Sequence, residues 1–342
     1  LGALSDRIGR RPIMILSICS SALGWFIFAQ AHNIWFLFLG RIIDGLAAGN
    51  FSTAQSYLSD IAKTDQERTK NLGLIGAIFG VAFLIGPAIG GLLSNVSPAF
   101  PFWCVGVMAS LNAINAIFNL PESHLNRKGQ QKILFNPFVL LTNVLRDKKL
   151  LPGFIVWFLF SLAIAINQAI LALYLGKVFA YGAFVTGIIF TGMGGLISFN
   201  QAFLLPKVLL KKFKERDLEL VATGVFALGF LLMSSSWLGI FTLGIIGTTF
   251  GQSILRIVLT SQIVGNSYDR KGQVLGAMNS AMSLAMIIGS LFAGALFLGH
   301  VKWPFLTAFM LGLASLATLY INGKRLSKFA KNIDVPNDET IL

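Results

Sequence analysis

The sequence predicts an all-α membrane protein with about ten transmembrane helices, and two observations support this prediction. Hydrophobic residues make up 55% of the 342 residues and charged residues only 12%, whereas a soluble domain carries roughly 25% charged residues to cover its surface. The apolar residues also occur in blocks of about 20, the length of helix that crosses a hydrocarbon core roughly 30 Å thick. This composition excludes a soluble globular fold.

Each apolar block is predicted to form one span, because charged or turn-forming breaks separate the blocks. Glycine and proline lie inside several of them, which membrane helices tolerate. The predicted spans are 13–31, 34–58, 70–94, 100–120, 151–175, 183–206, 219–235, 238–265, 273–299 and 303–322.

The basic residues lie mainly in alternate loops. Every lysine and arginine except Arg41, Lys177, Arg256 and Lys302 lies in or beside the loops 1–12, 59–69, 121–150, 207–218, 266–272 and 323–342. By the positive-inside rule these loops face the cytoplasm, as do both ends of the chain. The net charge of +13 then reflects topology in an inner (plasma) membrane, with some attraction to anionic lipid. A nucleic-acid partner is not expected.

The opening residues contain the strongest local motif, Gly2-Ala3-Leu4-Ser5-Asp6-Arg7-Ile8-Gly9-Arg10-Arg11-Pro12. Its glycines permit a sharp turn, its aspartate can cap a helix, and its arginines can pair with carboxylates. The motif resembles the loop between the second and third helices of the major facilitator superfamily, with the pattern G-x-L-x-D-R-x-G-R-R/K. The resemblance implies a cytoplasmic latch made of Gly2, Asp6, Arg7, Gly9, Arg10, Arg11 and Asp60.

Three later segments extend this resemblance along the chain. The stretch from Arg41 to Gly45, followed by Asn50 and 55–60, resembles the drug/proton antiporter branch that contains the tetracycline-resistance efflux proteins. A helix-kink motif matches the antiporter signature G-x8-G-x3-G-P-x2-G-G, with Ala82 in place of its second glycine. Its matching residues are Gly73, Gly86, Pro87, Gly90 and Gly91. Proline bends a helix, and glycines let a second helix approach closely. The stretch 119–123 resembles the exit of the sixth helix.

The resemblance also implies a domain organisation. The family has twelve helices and its first motif follows the second, whereas here that motif begins at Gly2. We therefore expect an N-terminally truncated chain whose first two helices are missing, with a ten-helix relative as the alternative. The expected parts are an incomplete four-helix half at 1–120, a cytoplasmic loop at 121–150, a six-helix half at 151–322 and a cytoplasmic tail at 323–342.

Charged residues within a span are costly and mark function, and Asp44, Arg41 and Arg256 qualify. On one helix at about 100° per residue, Arg41, Asp44 and Gln55 share a face that lines a cavity or a helix contact. Asp44 is interpreted as a proton-titrating or cation-binding carboxylate. A static salt bridge between Asp44 and Arg41 is the alternative. The resemblance implies a role for Arg41 near proton coupling.

Polar side chains at helical spacing occur in further spans. They are candidates for a shared polar pocket that takes amphipathic substrates, and interhelical hydrogen bonds are the alternative reading. The candidates are Asn112, Asn115, Asn167, Gln168, Gln252, Arg256 and Asn279.

These patterns favour a secondary transporter, a proton-coupled exporter of drug-like small molecules that works by alternating access. A major facilitator importer or facilitator of a sugar or metabolite is the alternative, and a non-transporting membrane receptor is a distant one. An enzyme is not expected, because the three histidines are scattered and no clustered carboxylates lie near a membrane face. We expect no cofactor and no metal, and a monomer whose partners are a small-molecule substrate, protons and lipid.

Overall fold

The computed structural model describes residues 4–5, 8–46, 50–62, 64–123, 147, 150–265 and 271–331. Contacts between residues group the chain into two compact units. Unit 1 comprises residues 1–135 and 182–192, and unit 2 comprises residues 136–181 and 193–342. The segment 182–192 therefore packs with the first unit, whereas the sequence assigns it to the second half. The predicted loop at 121–150 falls mostly outside the described residues, and the predicted division stays a prediction.

The described residues of unit 1 form five helices and the beginning of another. The helices are α1 (Arg10–Ala29), α2 (Ile34–Leu46), α3 (Asn50–Asp60), α4 (Asp65–Leu93) and α5 (Phe100–Asn119). Within this unit α1 packs against α2, α3 and α5, and α4 packs against α3 and α5. Helix α1 is therefore central to the unit.

Unit 2 is built mainly from long helices. Its described helical elements are α6 (Leu151–Phe179), α7 (Ala183–Phe199), a π-helical segment (Asn200–Leu209), the short α8 (Leu210–Lys212), α9 (Glu215–Met233), α10 (Leu238–Gly265), α11 (Lys271–Gly299) and α12 (Trp303–Lys331). Helix α7 begins in unit 1 and ends in unit 2. Helix α6 packs against α11 and α12, while α9 packs against α10 and α12.

The helical membrane fold is confirmed. Seven helical segments in the described residues are long and apolar enough to cross a membrane. They are Arg10–Ala29, Phe100–Asn119, Leu151–Phe179, Ala183–Lys212, Leu238–Gly265, Val274–Gly299 and Trp303–Asn322. Large apolar side chains also cover the outside, such as Leu298 (88% exposed) and Phe118 (80%). A surface of this kind suits lipid and not water.

The other three predicted spans, 34–58, 70–94 and 219–235, are not among these seven segments. The first lies on α2 and α3, with residues 47–49 between them outside the described part. The second lies within α4, where Leu84–Leu93 is a shorter apolar stretch. The third lies within α9, whose first turns contain four charged residues between Glu215 and Glu219. These charges lower the apolar character of an otherwise long helix.

Close helix packing in unit 2 depends on glycine. A methyl group added at Gly244 of α10 would lie 2.7 Å from the carbonyl oxygen of Gly229 and 2.7 Å from the backbone nitrogen of Met233, both on α9. One added at Gly251 would lie 2.7 Å from the carbonyl oxygen of Ala222. Small residues that bring two backbones together are typical of helix contacts in membranes, where apolar burial alone gives little preference for helix over lipid.

An aromatic cluster lies in the interior of unit 2. The ring of Tyr174 stacks on Phe241 at 5.0 Å between centroids and meets the edge of Phe305 at 4.9 Å. All three side chains are fully buried. The Tyr174 hydroxyl donates a hydrogen bond to the carbonyl of Ser235 at 3.1 Å, so its polar end is satisfied although its ring is buried. The cluster links α6, α10 and α12.

We predict that Gly244→Ala destabilises the protein, whereas Gly224→Ala does not. The added methyl at position 244 overlaps backbone atoms of α9, and overpacking of this kind costs about 1–3 kcal/mol. At Gly224 an added methyl meets nothing within 4 Å, so only the gain in helix propensity of about 1 kcal/mol remains. Melting temperatures in detergent would measure both. Equal melting temperatures for the two variants would contradict the packing account.

Candidate functional site

The candidate site of unit 1 is built where α1 crosses α2. A methyl group added at Gly24 would lie 2.7 Å from the carbonyl oxygen of Gly40, and one added at Gly40 would lie 2.7 Å from that of Gly24. The two backbones therefore touch, which glycine alone permits. This contact sets the side chains of the next turns of α1 directly against Arg41 and Asp44 on α2.

Asp44 accepts two kinds of contact at this crossing. The Ser21 hydroxyl donates a hydrogen bond to its Oδ1 at 2.7 Å. The Nη1 atom of Arg41 lies 3.7 Å from its Oδ2. The Asp44 side chain is 30% exposed and that of Arg41 is 58% exposed. The Arg41–Asp44 pair expected at i, i+3 is therefore present, with Ser21 as the closer partner of the carboxylate.

Arg41 also lies over aromatic rings of α1. Its guanidinium carbon is 4.9 Å from the ring centroid of Trp25 and 5.2 Å from that of Phe28. Both rings are supported by Phe102 of α5, which stacks on Trp25 at 5.8 Å and meets the edge of Phe28 at 4.7 Å. The arginine thus rests on an aromatic platform made of Trp25, Phe28 and Phe102.

Two kinds of contact hold Arg41. The 3.7 Å between its Nη1 atom and Oδ2 of Asp44 is an ion-pair distance and is too long for a hydrogen bond. Arg41 also makes two cation–π contacts, each of which contributes about 0.5–1 kcal/mol at an exposed site and more when desolvated. Trp25 and Phe28 therefore hold Arg41 independently of the charge of Asp44.

Two of the residues assigned to the predicted cytoplasmic latch, Arg10 and Asp60, are in contact. The guanidinium of Arg10 is buried and donates from Nε to Oδ2 of Asp60 at 3.1 Å and from Nη1 to the Ser5 hydroxyl at 2.6 Å. Asp60 also accepts a hydrogen bond from Ser123 at 3.4 Å. The structure brings Arg10 and Asp60 together, whereas Gly2, Asp6 and Arg7 lie outside the described residues.

Glu122 completes the beginning of α1. The N-cap residue Gly9 has φ 118° and no side chain that could accept a hydrogen bond. The carboxylate of Glu122 accepts from the backbone N–H of Arg10 at 2.8 Å and from that of Arg11 at 3.3 Å. An anion at a helix N-terminus is stabilised by the free N–H groups and the helix dipole. A side chain at position 9 would overlap this carboxylate.

The kink motif of α4 lies against the beginning of α7. A methyl group added at Gly91 would lie 2.8 Å from the carbonyl oxygen of Ala183, and one added at Gly187 would overlap the carbonyl of Pro87. Pro87 lies inside the helix. Gly73 is also within α4, and Gly86 and Gly90 have open space around them. Among the motif glycines whose surroundings the structure describes, Gly91 makes the close contact.

The remaining predicted pocket residues do not share one environment. Asn167 is 5% exposed in unit 2, whereas its neighbour Gln168 is exposed. Gln55 and Gln252 are half-buried. The exposed ones are Asn112, Asn115, Arg256 and Asn279. Of these, Asn115 accepts a hydrogen bond from Asn119 at 2.8 Å, a bond within α5 and not the interhelical bond of the alternative interpretation.

A comparison with protein families identifies the family of this chain. Residues 1–218 match the model of the Major Facilitator Superfamily. The chain belongs to this superfamily. As a member of it, the protein is a multi-pass membrane transporter with a small-molecule substrate.

Relatives within the superfamily include drug-resistance proteins. The chain is 29% identical over 307 residues to the class C tetracycline resistance protein of Escherichia coli, covering 87% of this chain and 75% of that protein. It is 26% identical over 332 residues to the quinolone resistance protein NorA of Staphylococcus aureus, covering 96% of this chain and 84% of that protein.

Two solved transporter structures share the fold. The human organic anion transporter MFSD10 (TETRAN) superimposes with a TM-score of 0.67 at 23% identity, covering 93% of this chain and 79% of that one. A POT family transporter in complex with a thioalcohol-conjugated peptide gives 0.73 at 13% identity, covering 97% and 84%. At these identities the likeness shows the fold.

The contacts of several residues of this superfamily member are visible only in the structure. Ser21, Trp25 and Phe28 are spaced i, i+4, i+7, which puts them on one face of α1, yet nothing in the sequence says that this face meets Arg41. Glu122 was noted as part of the sixth-helix exit but not as a cap. Glu219 was placed at the edge of a predicted span, and the structure shows it 5% exposed.

We predict that substitutions of Glu122 destabilise α1 in graded steps. Glu122→Gln keeps a hydrogen-bond acceptor and removes the charge, for an expected loss of about 0.3–1 kcal/mol. Glu122→Ala also removes the acceptor, and loss of a helix cap costs about 0.5–2 kcal/mol. Melting in detergent should rank wild type above the Gln variant and that above the Ala variant. A Glu122→Ala protein as stable as wild type would rule out the capping role.

Proposed function

We propose that this transporter is a proton-coupled exporter of drug-like, amphipathic small molecules, and that it works by alternating access between two helical halves. The single observation that carries the proposal is the group of Ser21, Arg41 and Asp44 beside the aromatic platform. A carboxylate, a guanidinium and aromatic faces meet there on two apolar helices. Buried or membrane-embedded charges of this kind mark ion and proton pathways.

The position of Asp44 supports a role in coupling. It lies ten residues after the beginning of α2, ~15 Å along the helix axis at 1.5 Å per residue. That is near the middle of a hydrocarbon core roughly 30 Å thick. Secondary transporters bind substrate and coupling ion near this depth.

The contacts of Asp44 suggest how a proton acts there. Protonation converts Oδ2 from a charged partner of Arg41 into a neutral group, while Oδ1 keeps the hydrogen bond from Ser21. Arg41 stays on Trp25 and Phe28, because the cation–π contacts do not depend on the proton. The proton therefore frees Arg41 from Asp44 without displacing it. A protonated Asp44 no longer offers its charge to a cationic or hydrogen-bond-donating substrate group beside the platform, so proton and substrate compete and favour different states.

The aromatic platform supports the substrate class. Trp25, Phe28 and Phe102 offer flat apolar faces beside a cation, which suits molecules that combine fused or planar rings with polar substituents. Two of the relatives are named for resistance to tetracycline and to quinolones. We take these two compounds as probes of the proposed export.

The proposal also covers the orientation of the chain, the cytoplasmic latch and the oligomeric state. The basic loops face the cytoplasm of an inner (plasma) membrane, which puts both ends of the chain inside. Among the described residues, the contact of Arg10 with Asp60 is the proposed cytoplasmic latch. The working form is a monomer in contact with lipid, and no cofactor takes part. Movement of tetracycline or the quinolone into the cell under a proton gradient would instead favour the alternative function, an importer.

We predict that Asp44→Asn, in the full-length protein, abolishes efflux driven by a pH gradient and retains exchange of substrate without a gradient. Asparagine keeps the size of the side chain and an oxygen for Ser21 but neither titrates nor pairs with Arg41. Efflux of tetracycline and of a quinolone from vesicles, with and without an imposed pH gradient, measures both activities. Wild-type dependence on the gradient in this variant would leave Asp44 as a structural partner of Arg41.

Two variants control for structure at the same crossing. Asp44→Glu keeps a titratable group and should retain gradient-driven efflux at a reduced rate. Arg41→Lys keeps the charge but lacks the planar guanidinium that stacks on Trp25 and Phe28, so it should weaken substrate exchange and gradient-driven efflux together. An Arg41→Lys protein with normal exchange would argue against the role of the platform in substrate binding.

A further inference from the structure

A second carboxylate in the protein is removed from water. Glu219 lies one turn after the beginning of α9 and is 5% exposed. The face of α9 that carries it also carries Thr223, Phe226 and Phe230, all of them buried and spaced i+4, i+7 and i+11 from Glu219. Glu219 therefore points into unit 2 rather than toward solvent, although the helix begins among exposed charges.

The direct partner of this carboxyl group is an amide. The side-chain nitrogen of Gln262 on α10, turned toward Glu219, lies 3.2 Å from Oε1 and 3.1 Å from Oε2. The Thr223 hydroxyl donates to the backbone carbonyl of Glu219 at 2.6 Å and not to the carboxyl group. An amide can donate hydrogen bonds to a carboxylate but cannot neutralise its charge.

Among the described side chains, the other charged groups on α9 and α10 are exposed. On α9 itself, Arg216 attracts the carboxylate and Glu215 repels it, and both are exposed. On α10 the charged residue is Arg256, also exposed and six positions before Gln262. The stretch of α12 from Trp303 to Asn322 carries no charged residue, and its titratable group on this part is the exposed phenol of Tyr320. The basic residues of α12 come after Asn322, where the side chains lie outside the described part.

A carboxylate in such surroundings favours proton binding. Moving an ionised carboxylate out of water carries a penalty of several kcal/mol unless a cation or several donors compensate it. One amide compensates only part of it, and protonation removes the charge altogether. Arg216, three residues earlier on the same helix, opposes protonation, so the two states are brought closer in free energy. A group balanced in this way can gain and lose a proton.

The amide of Gln262 fits both protonation states without any displacement. With its nitrogen toward Glu219 it donates to the carboxylate. Turned by half a rotation about its last bond, it presents its oxygen at the same place and accepts the O–H of the neutral carboxyl group. The same two side chains therefore remain hydrogen-bonded whether or not the proton is present.

We propose that Glu219 and Gln262 form a proton-binding site within unit 2, made of residues other than Arg41 and Asp44. A proton from the aqueous phase adds to one carboxylate oxygen of Glu219, and the amide of Gln262 turns from donor to acceptor. The proposal deepens the proton-coupled transport put forward above, and it rests on that function only for the role of this proton in transport. Proton binding at Glu219 itself is a separate property.

Infrared difference spectra of the reconstituted full-length protein test this site directly. A protonated carboxyl group gives a carbonyl band that shifts in heavy water and titrates with pH. We expect such a band in wild type, its loss in Glu219→Gln, and its retention in Asp217→Asn, which removes an exposed carboxylate two residues earlier on α9. A titrating carbonyl band of unchanged size in Glu219→Gln would overturn the proposal, as would no titrating band in wild type.

A second variant keeps the proposal testable if Glu219→Gln does not fold. Gln262→Leu removes the amide and leaves the carboxyl group in place, so the band should persist at the frequency of a carboxyl group without that hydrogen bond. An unshifted band would overturn the pairing. The Asp44→Asn protein should keep the Glu219 band whatever its efflux, so failure of the Asp44 coupling and failure of this site are read from different measurements.

Discussion

The free energy of removing charge and hydrogen-bonding groups from water constrains this whole protein. A chain with so much apolar surface must satisfy its polar groups internally, and each charged side chain that leaves the surface needs a partner. Arg10 has Asp60 and Ser5, Asp44 has Ser21 and Arg41, and Glu219 has Gln262. The architecture that delivers these partners is helical, because a helix satisfies its own backbone.

The two carboxylates meet this constraint with different chemistry. Asp44 has a cation and a hydroxyl as partners, and the cation is independently held by aromatic rings. Glu219 has a neutral amide that can reverse its direction of donation. In the proposed mechanism, a proton at the first site releases Arg41 from Asp44, and a proton at the second reverses the direction of one hydrogen bond. Two such sites in one chain would respond to the same gradient through unrelated rearrangements.

The sequence predicts what depends on local pattern and fails where the partner comes from another helix. Apolar blocks give the helical membrane fold, and i, i+3 spacing gives the pairing of Arg41 with Asp44. Trp25 reaches Arg41 only because Gly24 and Gly40 touch, a crossing that no spacing within one helix specifies. Asn167 and Gln168 read as a pair in sequence, yet neighbours on a helix point about 100° apart. One is consequently buried and the other exposed.

Glu122 connects the start of α1 to a residue 112 positions later than Arg10. The N–H groups of Arg10 and Arg11 have no capping side chain of their own, since Gly9 provides none. During synthesis, α1 therefore leaves the ribosome with an incomplete first turn, and its final cap arrives only after α5 has emerged. The order of translation thus makes the four intervening helices a prerequisite for the finished end of the helix on which unit 1 is assembled.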